Sequence, residues 1–315
     1  MTKLRCLLAI VVLCAGAAAS ADTITITPGN LASYGWIASG FGDAGVNLAP
    51  GPGAATEPLR PGAGSAHFSS GTYGSQYAIL HNAGCAGRLL SDLAELSYSS
   101  YVHSWNGQQV PFIVLFLDLD GDRVWNLATD DRLYFEPCYS TAHGDPPTSD
   151  YWVWEGSTYD YRAPNGWTAQ DPAALGVWQH WDARNGLWWS QRRNLLYARS
   201  GSGGTWSDGP PVSTLQDYLN WWGTDSHNPQ GVAPMIVNAN YWGVPVSGLQ
   251  VRSGGADALS HFDTNVDKVA IGFGGSSTTY DFEPAGGSTP EPTTGLLLAL
   301  GGLAAWARRR RSPRA

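Results

Sequence analysis

Asp118-Leu119-Asp120-Gly121-Asp122 sets three carboxylates at alternate positions, with Asn126, Asp130 and Asp131 close behind. Side chains at i, i+2 and i+4 of an extended segment project to one side. Hard oxygen ligands gathered on a Gly-containing turn suit Ca²⁺, which takes about six to eight of them. The candidate ligands are therefore Asp118, Asp120, Asp122, Asn126 and Asp130. The spacing departs from an EF-hand loop, because Gly121 falls at the fourth position rather than the sixth and Thr129 stands where the bidentate Glu belongs. The competing reading is an acidic hairpin loop capped by its own side-chain-to-backbone hydrogen bonds.

Tryptophan is the second chemical resource. Eleven of the fifteen fall between Trp152 and Trp242, including Trp188-Trp189 and Trp221-Trp222. An exposed indole is a flat platform for a sugar ring, and an adjacent pair on a strand sends one ring inward and one outward. The alternative is packing of a wide core and long loops. Enzyme signatures are weak: there is no G-x-S-x-G, no H-E-x-x-H and no phosphate-binding Gly-rich loop. The seven histidines, from His67 to His261, lack ligand spacing. Glycoside hydrolysis needs two carboxylates about 5–9.5 Å apart, and the sequence offers no way to choose them. The pattern points to an exported surface or matrix protein without catalysis, with a carbohydrate-binding module next and a polysaccharide-active enzyme behind it.

These residues must be positioned by strands. Val110 to Leu117 is a continuous apolar run, as in a strand buried on both faces. Arg132 to Glu136, Leu249 to Arg252 and Val266 to Ile271 alternate polar and apolar residues. Val269–Phe273 and Thr278–Phe282, joined by Gly274-Gly275-Ser276-Ser277, predict a hairpin. Ser213-Thr214 predicts the cap of a short helix running to Trp222, with Leu215, Tyr218, Leu219 and Trp222 on one face. The 39 Gly and 20 Pro suit many short strands and frequent turns. The expected fold is all-β, a two-sheet antiparallel sandwich with long loops and one or two short helices.

Both ends carry addresses. Lys3 and Arg5, the apolar stretch Cys6 to Ala18 and the Ala19-Ser20-Ala21 site describe a signal peptide over 1–21, cut between Ala21 and Asp22. At the other end Pro290-Glu291-Pro292 precedes an uncharged run over 293–307 and then Arg308, Arg309, Arg310 and Arg311. Such a run is a short membrane helix, held on the cytoplasmic side by the cluster behind it. Between them lies one domain over 22–283 and a linker over 284–289. Without the terminal segments the chain keeps 11 basic and 25 acidic residues, a formal charge of −14. A surface this acidic repels nucleic acid and other anionic polymers unless cations bridge them, which leaves no nucleic-acid partner expected and favours divalent cations or neutral glycans. Cys85 and Cys138 also remain. In an oxidising compartment they are expected to pair, closing a loop worth roughly 4 kcal/mol; the alternative is two buried thiols that never meet.

The C-terminal order of Pro-Glu-Pro, short membrane helix and arginine cluster resembles the PEP-CTERM sorting signal of Gram-negative bacteria. That resemblance implies export, an inner-membrane intermediate with transient membrane association through 293–307, cleavage by signal peptidase and exosortase, and a final place in the cell envelope or outside, where extracellular polysaccharide is a candidate partner. Gly51-Pro52 to Gly64-Ser65, Leu89 to Ser99, the Asp118–Pro137 segment, Trp178 to Asp182 with Trp188-Trp189, and Asn265 to Glu283 resemble a jelly-roll-like or laminin-G-like bacterial ectodomain. This second resemblance implies a fold and no assigned activity.

Overall fold

Strand alternation builds two sheets whose inner faces share one apolar core. The structure is a computed structural model that describes residues 21–52, 64–70, 76–104, 110–140, 152–155, 158–161, 167–191, 212–220, 241–254 and 261–285. The first sheet holds β1 (Ala21–Ile26), β3 (Gly45–Pro50), β4 (Gly64–Ser69), β6 (Leu93–Ser104), β11 (Trp178–Asp182), β15 (Asp263–Phe273) and β16 (Ser276–Phe282). The second holds β2 (Trp36–Phe41), β5 (Tyr77–Asn82), β7 (Phe112–Leu117), β8 (Asp131–Phe135), β12 (Leu187–Ser190), β13 (Val212–Thr214) and β14 (Val246–Gly254), in the order β13-β12-β8-β7-β14-β5-β2. A separate antiparallel pair is formed by β9 (Trp152–Glu155) and β10 (Thr158–Tyr161).

The core takes Phe68, Tyr98 and Val266 from the first sheet, and Leu80, Ile113, Phe135 and Trp188 from the second. This is the arrangement of a sandwich. Each large buried side chain contributes roughly 1.5–3 kcal/mol through burial. Several rings also satisfy their polar ends: Tyr98 donates to the Pro111 carbonyl at 2.5 Å, the Trp181 indole to Ser100 Oγ at 2.7 Å and the Trp188 indole to the Ala183 carbonyl at 2.8 Å. β7 is buried on both sides as its sequence predicts. Ile113, Leu115 and Leu117 enter the main core, while Val114 and Phe116 join a second cluster on the outer face.

β15 makes the first sheet curl. Its first half pairs with β4 and its second half with β16, while β6 runs along the other side. The change of partner coincides with an extra residue between Asp267 and Ala270, where Lys268 takes a left-handed φ of 51°. Such a bulge bends the strand. Lys268 Nζ reaches Asp281 Oδ1 at 2.5 Å, and Asp267 Oδ1 accepts the Phe282 amide at 2.8 Å, so the bend is tied to β16. The expected hairpin forms with a tighter turn. Gly274 and Gly275, at φ 61° and 92°, are its only two loop residues.

Three expectations need correction. β1 runs parallel to β16, so the sheets are not wholly antiparallel. Ser213 and Thr214 belong to β13 rather than to a cap, and the helix that follows, α1 (Leu215–Asn220), buries Leu215, Tyr218 and Leu219. The helix ends at Asn220, and Trp222 lies outside the described residues. Cys85 and Cys138 are free thiols. Register explains why. Cys85 follows Asn82 at the end of the second sheet where Val246 meets Leu117, whereas Cys138 follows Phe135 at the opposite end, beyond Ile113. Ala21 and Asp22, at the expected cleavage point, open β1. The expected signal helix and the membrane helix over 293–307 lie outside the described residues. Among those residues no helix is long and apolar enough to cross a membrane.

Candidate functional site

The acidic loop joins β7 to β8. Asp118 and Asp130 are only 2% and 1% exposed, and each accepts two backbone N–H groups. Asp118 takes the amides of Gly121 and Arg123 at 2.8 and 3.1 Å; Asp130 takes those of Leu119 and Asn126 at 2.9 and 2.7 Å. Gly121 supplies the left-handed turn at φ 78°. Asp120 is exposed and accepts the Asp122 amide at 3.2 Å. That amide, with the Thr129 hydroxyl, holds its carboxyl below the usual carboxylate value.

Carboxylate oxygens of Asp118, Asp120 and Asp130 lie within 4.8 Å of one another. This is a hard, all-oxygen cluster that fits a divalent cation of the Ca²⁺ type. Asp122 stays outside the three-carboxylate group and accepts the Val124 amide at 2.6 Å. Asn126 turns its carbonyl oxygen to the Ala128 amide at 3.0 Å. Asp131 faces the opposite way from Asp130, as neighbours in an extended chain must. Its carboxylate is buried and accepts the hydroxyls of Ser190 and Tyr241 at 2.5 and 2.6 Å. Three of the four expected aspartates converge.

The outer face of the second sheet carries a different constellation. Trp188 and Trp189 divide between faces as the sequence predicts. Trp188 enters the core, and Trp189 stacks on Tyr134 with ring centres 4.0 Å apart and planes at 4°. Arg132 lies over Trp125 at 3.8 Å and over Phe116 at 5.0 Å. Arg252 lies over Tyr77 at 4.8 Å and Phe112 at 5.9 Å. The acidic loop contributes Trp125 here, packed edge-on against Phe116 at 5.5 Å.

A cavity of about 380 Å³ opens on this face, walled by Phe112, Tyr134 and Trp189 and polarised by Arg132, Glu136 and Arg252. Glu136 Oε1 accepts the Trp189 indole N–H at 3.1 Å. Burial pushes the Glu136 carboxyl up to about 7, against the opposing pull of that hydrogen bond and of the Arg252 charge. Burial likewise lowers the basicity of Arg252. Sequence reasoning did not find these residues. Their signal was the polar half of two alternating strands, Arg132-x-Tyr134-x-Glu136 and Gln250-x-Arg252, which by itself marks only an outward face.

The first sheet's outer face is polar but closed on itself. His67 Nε2 meets Asp263 Oδ1 at 2.7 Å, and His103 Nε2 meets Asn265 Oδ1 at 2.8 Å. Trp178 donates its indole N–H to the Pro52 carbonyl at 3.0 Å. Of the tryptophans expected as a sugar platform, Trp206, Trp221 and Trp222 lie outside the described residues, Trp181 and Trp188 are core, and Trp242 is exposed. Pro290, Glu291, Pro292 and Arg308 to Arg311 also lie outside the described residues.

The sequence pattern of the PEP-CTERM protein-sorting motif matches residues 288–311. It takes in the Pro-Glu-Pro triplet and all four consecutive arginines, and it implies export and exosortase-dependent sorting to the cell envelope. No curated protein matches the chain.

Proposed function

We propose that this protein passes through the inner membrane, held briefly by residues 293–307, loses its C-terminal signal to an exosortase, and then acts at the cell envelope or outside as a carbohydrate-binding surface protein. The cavity beside the stacked Tyr134–Trp189 pair carries the binding part of this reading. Apolar aromatic walls with a few fixed polar groups are the usual composition of a small-ligand site. Binding fits better than hydrolysis. Among the described residues that line this cavity Glu136 is the one carboxyl, whereas two-carboxylate hydrolysis needs a second about 5–9.5 Å away.

Two measurements test the proposal. A glycan array probed with protein purified from its host is expected to show one retained class, weakened about tenfold by Trp189→Ala. A wild-type protein that binds nothing on the array overturns the carbohydrate reading. Intact-mass analysis of envelope protein is expected to find a chain ending near Pro292. Arg308–Arg311 still attached to most of it would count against exosortase cleavage.

A further inference from the structure

The cavity is cationic within a chain that is acidic as a whole. Arg132 and Arg252 are held against aromatic faces, and both Nε atoms are buried with no hydrogen-bond partner. Among the described residues neither guanidinium has a carboxylate within 4.0 Å. A cation–π contact orients a guanidinium without neutralising it. The planar N–H fork that remains matches a carboxylate, which accepts two parallel hydrogen bonds.

Spacing narrows the ligand. Arg132 pairs with Phe116 and Arg252 with Phe112, four residues apart on β7. At the usual strand rise this sets the two backbone positions about 13 Å apart along the strands, with β7 between them, so the two side chains enter the cavity from different places on its wall. A chain bearing carboxylates on several residues serves both. We propose that this cavity binds an acidic glycan, a run of hexuronic acid residues whose carboxylates pair with Arg132 and Arg252 while sugar rings lie against the Tyr134–Trp189 pair. This deepens the carbohydrate reading and rests on it.

The whole-chain charge favours neutral glycans, but at about 0.1 M salt charges more than about 10 Å away are largely screened. The local cations therefore decide. Glu136 modulates them: protonated, it donates a hydrogen bond to the glycan, and ionised, it opposes the glycan's charge. The groups facing it are Arg252 from β14, Arg132 and Tyr134 from β8, Tyr98 from β6, whose phenol burial pushes upward, and Cys138 and Tyr139 from the turn after β8; Phe112 and Trp189 bring no charge. Burial pushes the Cys138 thiol and the Tyr139 phenol upward, so both stay neutral while Glu136 titrates.

The test is titration calorimetry of the full protein at about 0.1 M salt with tetramers of galacturonate, glucuronate and mannuronate. Their methyl esters, neutral hexose tetramers, the monomeric uronates and polyglutamate are titrated alongside. At least one acidic tetramer is expected to bind at least about tenfold tighter than its ester and its monomer, and to weaken as pH rises through 7. Arg132→Gln and Arg252→Gln are each expected to lose about tenfold, Arg252→Lys less, and Arg123→Gln on the exposed loop nothing. Melting curves establish that each variant is folded. Equal binding of tetramer and ester, or folded arginine variants of undiminished affinity, overturns this inference and leaves the carbohydrate reading standing. Polyglutamate binding as tightly as any uronate keeps the anion site but overturns the carbohydrate reading. No binding by any probe overturns both.

Discussion

The loop that joins β7 to β8 and the outer face of the sheet beside it hold opposite charges in opposite ways. At the Leu117–Asp131 end, Asp118 and Asp130 are buried, and each carboxylate is taken up by two backbone amides of its own loop. Toward the Phe112–Phe135 end, Arg252 rests on aromatic rings with its Nε unpartnered, and Arg132, close to the loop in sequence, does the same. A polar group satisfied by its own chain holds a shape. A fixed polar group left unsatisfied, on the wall of a cavity, holds a place for something else. Charge density alone separates the two poorly, since the loop is the more conspicuous in sequence.

The sharpest way to break this contrast is to cut the loop's internal bonds. Asp130→Ala leaves the Leu119 and Asn126 amides without their acceptor. Two stranded, partly buried donors cost about 2–4 kcal/mol together. The denaturation midpoint is expected to fall by that amount with an unchanged slope. Asp130→Asn, which keeps one acceptor, is expected to lose about half. Arg252→Gln removes the ring contacts and the charge facing Glu136 but strands no backbone donor, and is expected to cost about 0.5–1 kcal/mol. If Arg252→Gln proved as damaging as Asp130→Ala, the guanidinium would be a structural group and the contrast would fail.

The same contrast marks what local sequence can convey. The strand pattern of β7, β8, β14 and β15, the Gly274-Gly275 turn and the split of Trp188 from Trp189 were all legible, because each depends on a two-residue period or on φ > 0. The acidic loop was legible as a cluster, and its reduction to Asp118, Asp120 and Asp130 was not. Which carboxylates converge depends on where Asp122 finds an amide. The arginine site was hidden for a different reason. Arg132 and Arg252 sit on strands separated by β7 and are far apart in sequence, so only the sheet order makes them neighbours of one cavity. The same non-locality defeated the cysteine pairing, which needed to know that β5 and β8 end at opposite edges.

Acid titration sharpens the cationic end. The Glu136 carboxyl rises from an ordinary 4.5 to about 7 on folding. Between those values the folded chain binds more protons than the unfolded one, so this group's contribution to stability falls as pH rises through the window and is flat above it. With allowance for its partial access to solvent, the loss is about 1–3 kcal/mol. Glu136→Gln is expected to flatten that segment of the profile and to make the protein relatively more stable at pH 8. Superimposable profiles of the two proteins from pH 5 to 8 would place Glu136 in water, outside the cationic pocket.

The smallest effect concerns the cation at the acidic end. Three carboxylates whose oxygens lie within 4.8 Å repel one another by about 1 kcal/mol per close pair even at the dielectric of water. The amides around Asp118 and Asp130 offset part of this, so the loop closes by itself. Ca²⁺ would remove the rest. Its gain follows RT ln(1 + [L]/Kd), about 1.4 kcal/mol at a tenfold excess, so millimolar Ca²⁺ is expected to raise Tm by a few degrees. Mg²⁺ is expected to do less, since it demands octahedral geometry and sheds water reluctantly. Asp120→Ala is the discriminating variant. Asp120 is exposed, so its loss alone should leave stability nearly unchanged while abolishing the Ca²⁺ gain. Asp122→Ala, outside the converging group, is expected to keep the gain. An unchanged Tm between chelator and Ca²⁺ would leave the loop as a self-capped turn. A gain that survives Asp120→Ala but not Asp122→Ala would mean that the ligands are those of the alternating sequence pattern rather than those the fold brings together.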